Sequence, residues 1–330
     1  MKTKVIISID TEFSIAGTFA EPDKYKPISE QAVYCKVDDR SFGLDFLLRT
    51  FAEFGVRATF LVEALNTHFF GDQPMGTIAR QIRDAGHDVQ MHLHPCWTYF
   101  KDGDWRTRLK ISPPTDHMNR RSAAQLDEWI GEGIAAFRRW GLDAPVALRT
   151  GSLITDRQIY LAMERSGMTV ASNIAVGVFR PEEPELRFYS GLHHVDSILE
   201  ACVLTYHDPV TNRQRCLTIT GSSWPETRML LEAAHGAGIE SVVVLTHPFE
   251  FVKYTAPTFA DMRPSRVNQQ RLRQLCTFLA AETERFEITT LSELATWTPK
   301  SERNVLLKAS PSLVVGRMIQ NFMNDHVKSF

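Results

Sequence analysis

The chain has 330 residues, of which 43% are hydrophobic and 23% are charged, and its formal net charge is −2. This composition is typical of a soluble globular protein, and a chain of this length can bury a sizeable core. Because the net charge is close to zero, nothing indicates a nucleic-acid or membrane-surface partner.

Apolar runs that suit buried strands alternate with amphipathic helical patterns, which predicts an α/β protein with a mainly parallel sheet. In chain order, the predicted strands cover residues 5–9, 58–62, 88–93, 146–148, 168–172, 241–245 and 286–290. The predicted helices cover residues 42–54, 78–85, 125–140, 156–166, 226–237 and 268–283, and another begins at residue 291.

Three segments interrupt this alternation. We expect residues 97–121 to form a long polar and aromatic loop, and residues 176–224 to be an insertion at one mouth of a barrel. After residue 297, apolar clusters lie among basic residues. We predict that this tail packs on the body of the protein, although an oligomer contact or a membrane surface are alternatives.

The cysteines and the N-terminus predict a cytoplasmic location. The five cysteines are an odd, widely spaced set without a CxxC motif, so we expect reduced thiols. The first apolar run is short and meets Asp10 and Glu12 at once, which is typical of a buried strand rather than a signal peptide. The sequence has no window of about 18 apolar residues, so we predict no transmembrane helix.

Polar side chains follow four of the predicted strands directly. In α/β barrels the carboxyl ends of the strands converge on one face, which holds the active site. We therefore expect these side chains to lie together and to carry the chemistry. They are Asp10 and Glu12, His92 and His94, Arg149, and His247.

The first two pairs predict a metal site. Residues two apart on a strand point the same way, so one of Asp10 and Glu12 can bind a metal while the other takes a proton from water. His92 and His94 complete a set of two histidines and one carboxylate, which is common in catalytic zinc sites. Helix capping by Asp10 is an equally good alternative for that residue alone.

The remaining candidates are single residues. His247 is placed to protonate a leaving amine, and its alternative is a buried histidine bonded to the backbone. Arg149 can orient a catalytic carboxylate or bind a substrate anion, and its alternative is an ordinary ion pair. Cys96 is either a soft metal ligand or a small buried side chain, and we favour the second.

Other polar residues are weaker candidates. We expect one histidine at the remote end of its strand and three on the surface of the insertion, with a place at the substrate mouth as the alternative for these three. We also expect one asparagine that either contacts substrate or caps a helix. They are His87, His193, His194, His207 and Asn173.

The order of these motifs resembles that of the polysaccharide deacetylase family (NodB-homology, carbohydrate esterase family 4). The resemblance extends from Val5 to Leu294, nearly the whole predicted core. It rests on Ile7-Ser8-Ile9-Asp10-Thr11-Glu12, Ala58-Thr59-Phe60-Leu61-Val62, Gly86-His87-Asp88-Val89-Gln90-Met91-His92, Arg149-Thr150-Gly151, Leu245-Thr246-His247-Pro248 and the stretch 286–294.

The resemblance implies a distorted (β/α) barrel, which we place over residues 1–298, and a divalent ion of the Zn²⁺ type. We expect residues 299–330 to form a helical tail that packs on this core. The resemblance implies Glu12 and His92 as metal ligands and Asp10 as general base. It also implies that Arg149 tethers the base and that His247 is the general acid. Metal-bound water would attack an amide carbonyl and remove an N-acetyl group from a sugar.

The sequence departs from the family pattern at three points, of which one is the absence of the usual proline from the motif around Arg149. The usual second metal histidine would stand near Cys96, so His94 must serve instead. An acidic-x-acidic motif replaces the usual pair of aspartates, so the roles of Asp10 and Glu12 could be exchanged.

These departures affect mainly the predicted substrate. Variants with a similar His-Leu-His-Pro sequence look like cytoplasmic proteins of surface-polysaccharide biosynthesis, so the substrate could be a sugar on a nucleotide or lipid carrier. The alternatives are another metal-dependent hydrolase of C–N bonds or phosphoesters, and a non-catalytic carbohydrate-binding relative.

Overall fold

The computed structural model describes residues 2–112 and 114–326. The strands in this part of the chain are β1 (Thr3–Thr11), β2 (Lys36–Val37), β3 (Arg40–Ser41), β4 (Thr59–Glu63), β5 (Asp88–Leu93), β6 (Ala147–Thr150), β7 (Val170–Ala171), β8 (Leu192–Val195), β9 (Ile198–Ala201), β10 (Thr205–Asp208), β11 (Arg213–Cys216), β12 (Ser241–Thr246), β13 (Val252–Lys253), β14 (Arg263–Pro264), β15 (Phe286–Ile288) and β16 (Leu307–Lys308). The helices are α1 (Glu30–Tyr34), α2 (Leu44–Phe54), α3 (Thr67–Phe70), α4 (Gln73–Asp84), α5 (Trp105–Leu109), α6 (Ala123–Arg139), α7 (Arg157–Arg165), α8 (Trp224–Gly236), α9 (Arg266–Ala281), α10 (Leu291–Leu294) and α11 (Pro311–His326).

The central sheet has nine strands. Eight of them follow the order β12-β1-β4-β5-β6-β7-β9-β8, and β15 pairs with the first residues of β1. Every neighbouring pair is parallel except β8 with β9, which form an antiparallel pair. Parallel pairing places the carboxyl ends of β1, β4, β5, β6 and β12 at the same edge of the sheet.

The chain after β9 closes the sheet on itself. Val203 forms a parallel bridge with Val243, and Thr218 forms one with Leu245, both on β12. Because β12 and β9 lie near opposite ends of the strand order, these bridges curl the sheet into a distorted barrel, and the predicted fold class is confirmed. The prediction that residues 176–224 only shape the barrel mouth is wrong in part, because β9 joins the central sheet.

The strands β1, β4 and β12 are buried on both faces, which explains why their sequences are apolar runs rather than alternating patterns. On β1, Val5, Ile7 and Ile9 belong to the larger apolar cluster that includes the helices, whereas Ile6 belongs to a smaller one. The members of the smaller cluster on the central sheet are Ile6, Leu61, Ala147, Val170, Leu192, Leu199, Ala201, Val243 and Leu245. They come from different strands and meet inside the barrel, so alternate residues further along each strand also face its interior.

The segment predicted as a long loop contains local structure. A 3-10 turn covers Pro95–Lys101, and α5 follows it. The rings of Phe100 and Trp105 pack edge to face with their centroids 5.1 Å apart. Neither element has the apolar repeat of a longer helix, so aromatic packing with the body orders a stretch whose local pattern predicts a loop.

The last described residues pack on the body of the protein. Leu307 pairs with Tyr206 in a parallel ladder, and Arg317 of α11 lies 2.7 Å from the buried carboxylate of Asp208. The predicted domain boundary after residue 298 stays a prediction. Within the described ranges, the structure contains no helix long and apolar enough to cross a bilayer.

Candidate active site

The six side chains named from the sequence meet at the carboxyl edge of the central sheet. On β1, β6 and β12 these residues have the parity of the interior-facing positions Ile6, Ala147 and Val243. On β5 the two histidines alternate with Met91 and Leu93, which belong to the larger cluster. The barrel therefore points all of these side chains into one interior space. They are Asp10 and Glu12 at the end of β1, His92 and His94 at the end of β5, Arg149 on β6, and His247 after β12.

Glu12 lies between the two histidines. Its Oε2 is 2.7 Å from His94 Nε2 and 3.5 Å from His92 Nε2. Nδ1 of His92 is 2.9 Å from the carbonyl oxygen of Arg149, which can only accept, so Nδ1 carries a hydrogen and Nε2 offers its lone pair toward Glu12. One ligand atom from each of the three side chains lies within 4.8 Å of the others. Two imidazoles and a carboxylate in this arrangement suit a divalent ion such as Zn²⁺.

The charges of this cluster favour a cation. Burial alone would lower the pKa of His94, but the carboxylates of Glu12 and Asp116 raise that pKa well above its ordinary value. Burial would raise the pKa of Glu12, but His94 and His92 hold it well below the usual range. The carboxylates that stabilise a protonated imidazole here would equally attract a divalent ion.

Arg149 is completely buried and holds Asp10. Its Nη1 donates to Asp10 Oδ1 at 2.6 Å and to Ser8 Oγ at 3.0 Å. Its Nε and Nη2 donate to the carbonyl oxygen and hydroxyl of Ser172, at 2.9 Å and 2.7 Å. A guanidinium with partners on three sides cannot rotate freely, so it fixes the Asp10 carboxylate within the barrel.

Asp10 is kept ionised by its neighbours. Burial would raise its pKa, but the Arg149 guanidinium, and after it the neighbouring imidazoles of His92 and His247, outweigh burial and lower it. The second carboxylate oxygen of Asp10 lies 3.9 Å from His247 Nε2. Asp10 therefore faces His247 on one side and Arg149 on the other, apart from the Glu12 cluster.

His247 is held as a charged imidazole. Its Nδ1 lies 3.1 Å from Glu250 Oε1, and the other oxygen of Glu250 accepts a hydrogen bond from Thr246 at 2.7 Å. Burial would lower the pKa of His247, but the hydrogen bond and charge of Glu250 raise it to about 9. Nε2 then carries a proton near neutral pH and points toward Asp10, which suits a proton donor.

The sequence reasoning did not name three carboxylates of this site. Glu63 ends β4 with the same parity as Leu61, so the rule applied to the other strands could have found it. Asp116 lies on a loop and Glu250 in a 3-10 turn, and neither has a local pattern that marks it. Burial raises the pKa of Glu63 to about 8.

Cys96 lies beside this cluster. Its sulfur, a nitrogen of His94 and an oxygen of Asp116 lie within 4.8 Å of one another. Burial raises the pKa of the thiol well above its ordinary value, and the Asp116 carboxylate adds to that effect. A neutral, buried thiol supports the prediction that Cys96 is a packing residue rather than a ligand.

The weaker candidates have other contacts. His87 packs between the rings of Phe51 and Phe60 at the start of β5, and His193 stacks on Phe188. His194 is exposed and pairs with Glu302 at 2.6 Å. His207 is half-buried in β10, and Asn173 accepts a hydrogen bond from the Thr150 amide at 2.9 Å. These contacts explain four of the five residues without a ligand. The expectation of a surface position is wrong for His193, which is buried.

A cleft of about 210 Å³ opens beside Glu12 and His94. Most of the residues that line it are aromatic or apolar, and Asp116 adds a further carboxylate. The other lining residues are Phe13, Ser14, Ile15, Ala32, Cys96, Trp97, Phe249, Tyr254 and Phe259. None of the described residues that line it is lysine or arginine, so the cleft is negatively charged.

Comparison with solved structures agrees with this fold. A protein assigned as a polysaccharide deacetylase from Mycobacterium smegmatis superposes with a TM-score of 0.54 and 18% identity, over 93% of this chain and 95% of that chain. This likeness shows the fold, and the resemblance inferred from the motifs is confirmed at that level.

Two further structures are similar at lower scores. A family 4 carbohydrate esterase from Streptomyces lividans, in complex with acetate, has a TM-score of 0.43 and 15% identity, over 92% of this chain and 98% of that chain. A family 4 acetyl xylan esterase from Clostridium thermocellum, in complex with a cobalt ion, has a TM-score of 0.44 and 14% identity, over 94% of this chain and 100% of that chain. No family model and no curated protein matches the chain.

Proposed function

We propose that this protein is a metal-dependent deacetylase that removes an N-acetyl group from a sugar. One observation carries the proposal: the structure separates the polar residues into two groups on one barrel edge. Glu12 faces His92 and His94, whereas Asp10 lies between Arg149 and His247. A hydrolase that activates water and then protonates an amine needs both groups side by side.

Glu12, His92 and His94 would hold the divalent ion. When bound, such an ion lowers the pKa of water and polarises the carbonyl of the substrate. His92 is prepared for this task because Nδ1 donates to the Arg149 carbonyl, which leaves Nε2 free. Asp10 is not in this group of ligand atoms, which supports Glu12 rather than Asp10 as the ligand.

Asp10 would act as the general base. It is ionised, it is buried, and Arg149 fixes its orientation. A carboxylate in that position can accept the proton that the attacking water loses. Arg149 is a positioning residue in this scheme, since it acts through Asp10 and is completely buried.

His247 would act as the general acid. Its Nδ1 is bound to Glu250, so the proton on Nε2 is the one available on the side of Asp10. Transfer of that proton to the nitrogen of the cleaved amide produces a free amine and acetate, and the base returns its proton to the imidazole.

The substrate would be a carbohydrate. The aromatic walls of the cleft suit the apolar faces of a sugar ring, and a cleft without lysine or arginine offers no partner for a phosphate. A nucleotide or lipid carrier, if present, would therefore lie outside the cleft. On the motif resemblance, we propose a cytoplasmic step of surface-polysaccharide synthesis, carried out by residues 1–298.

The test uses the full chain loaded with Zn²⁺ and a short N-acetylglucosamine oligosaccharide. We expect release of acetate and free amine that stops when a chelator removes the metal and returns when Zn²⁺ is restored. p-Nitrophenyl phosphate is the matched substrate for the rival class. Phosphate release without acetate release would refute the proposal.

A further inference from the structure

Three residues, Gly151, Asp116 and Glu63, closely surround His94, and we call them the His94 socket. A methyl group built on Gly151 would come within 2.5 Å of Nδ1, 2.7 Å of Cε1 and 2.8 Å of Cγ of the His94 ring. These distances are far below van der Waals contact, so the Gly151 backbone lies directly against the imidazole. Any side chain at position 151 would require the ring to move.

Two carboxylates hold the same residue from other directions. Asp116 Oδ2 lies 2.5 Å from His94 Nδ1, and the buried Glu63 accepts a hydrogen bond from the His94 backbone amide at 3.2 Å. Glu63 also accepts from the amides of Leu65 and Asn66, at 2.9 Å and 2.6 Å, so it is fixed in place. Backbone, ring edge and ring face of His94 are therefore all constrained.

These contacts determine which nitrogen of the ring faces Glu12. The Asp116 carboxylate lies at hydrogen-bond distance from Nδ1, and a carboxylate oxygen accepts from an imidazole N–H. Nδ1 therefore carries a hydrogen, and Nε2 is the nitrogen that points to Glu12 at 2.7 Å. A carboxylate behind a ligating imidazole fixes its orientation and makes it a stronger ligand.

We infer that Gly151, Asp116 and Glu63 are positioning residues that make His94 a metal ligand through Nε2. This inference rests on the metal site of the proposed function. It explains how a histidine two residues after His92 can serve here, and it assigns neither Asp116 nor Cys96 to the ligands.

Gly151→Ala is the sharpest test, because it adds one methyl group and removes no donor atom. The backbone of Gly151 is not in the left-handed region, so alanine is allowed there. Gly131→Ala is the matched control, since a methyl group on that exposed helical residue meets nothing within 4 Å. Asp116→Asn tests the second wall of the socket by removing its charge.

The measurements are Zn²⁺ affinity by chelator competition and the absorption spectrum of the Co²⁺-loaded full chain. We expect Gly151→Ala and Asp116→Asn to weaken Zn²⁺ binding by about 10- to 100-fold, as other changes behind metal ligands do. Gly131→Ala should bind as the wild type does. Thermal unfolding of the metal-free variants checks that each one is folded.

Three results would overturn the inference. Wild-type affinity in both socket variants would show that the walls do not position the ligand. Complete loss of the metal in Asp116→Asn would make Asp116 a ligand, and a thiolate-to-cobalt charge-transfer band that disappears in Cys96→Ser would make Cys96 one.

A failure of the proposed function can be distinguished from a failure of the inference about His94. A wild-type chain that binds no metal removes the metal site and the socket together. A chain that binds metal and responds to the socket variants, but releases no acetate, refutes only the deacetylase proposal.

Discussion

Arg149 Nη1 donates to Asp10 Oδ1 at 2.6 Å, although 139 residues of chain separate the two. Both side chains are buried, and the pair joins β6 to β1 at the inner face of the barrel. The contact turns the other oxygen of Asp10 toward His247. One buried ion pair therefore sets the geometry of the proposed base and acid together.

Arg149→Met should destabilise the protein by about 3–5 kcal/mol, because it leaves the Asp10 carboxylate buried without its partner. The free energy of unfolding, measured by urea titration of the metal-free chain, tests this. Arg165→Met is the control, since Arg165 pairs with Asp127 on the surface at 2.7 Å and its loss should cost no more than about 1 kcal/mol. Equal effects of the two substitutions would contradict the prediction.

Asp10→Asn should separate turnover from metal binding. The asparagine cannot accept a proton from water, so we expect turnover to fall by about 10²- to 10⁴-fold while the metal content stays at the wild-type level. Glu12→Gln and His92→Ala should instead lose the metal, because each removes a ligand. Elemental analysis measures the metal content of each variant, and the acetate assay measures its turnover. Metal loss in Asp10→Asn would show that Asp10 is the ligand and Glu12 the base.

Glu250→Gln should move the alkaline limb of the pH–rate profile to lower pH. The proposed acid must be protonated, so kcat/KM should fall as pH rises through about 9, the pKa to which Glu250 raises His247. A neutral glutamine removes the main cause of that shift. The pH profile of kcat/KM for both proteins measures it, and an unchanged alkaline limb would exclude His247 as the acid.

The pair of His247 and Glu250 should also make the free energy of unfolding depend on pH. The pKa of His247 is raised from 6.5 to about 9 in the folded protein, so its contribution is complete below pH 6.5 and is lost as pH rises through 9. We expect the wild type to lose more unfolding free energy than Glu250→Gln between these pH values. Parallel curves for the metal-free proteins would show that Glu250 does not stabilise the imidazolium.

Arg317→Met should destabilise the protein by about 3–5 kcal/mol, because α11 is tied to the body through buried charge. Arg317 lies 2.7 Å from Asp208 and 3.6 Å from Glu226, and both carboxylates are fully buried. Arg228→Met, which removes an exposed pair with Glu232, is the control. Urea titration that finds the two variants equally stable would show that the helix does not depend on this contact.

Several features of the site were open to prediction because they depend on local pattern. Each of β1, β5, β6 and β12 has polar residues at or directly after its carboxyl end, and parallel strands bring such ends to one edge. Asp10, His92 and His247 could thus be grouped before any contact was known. The motif resemblance, and not the spacing of the residues, predicted the specific contact of Arg149 with Asp10.

The tertiary structure alone decided the surroundings of these residues. Glu250 and Asp116 have no local signature, since their effects on His247 and His94 arise from contacts in a turn and a loop. The close approach of Gly151 to His94 depends on how β5 and β6 pack side by side. Closure of the sheet through Val203 and Thr218 likewise depends on contacts with β12 that no periodicity in the sequence encodes.

The sequence by itself thus determined the alternation of strands and helices and the residues that end the strands, because burial and strand parity follow from local order. It did not determine which carboxylate meets which imidazole. That depends on distances of a few ångströms between residues far apart in the chain, and the fold fixes them by placing Glu12 against His92 and His94 and Asp10 between Arg149 and His247.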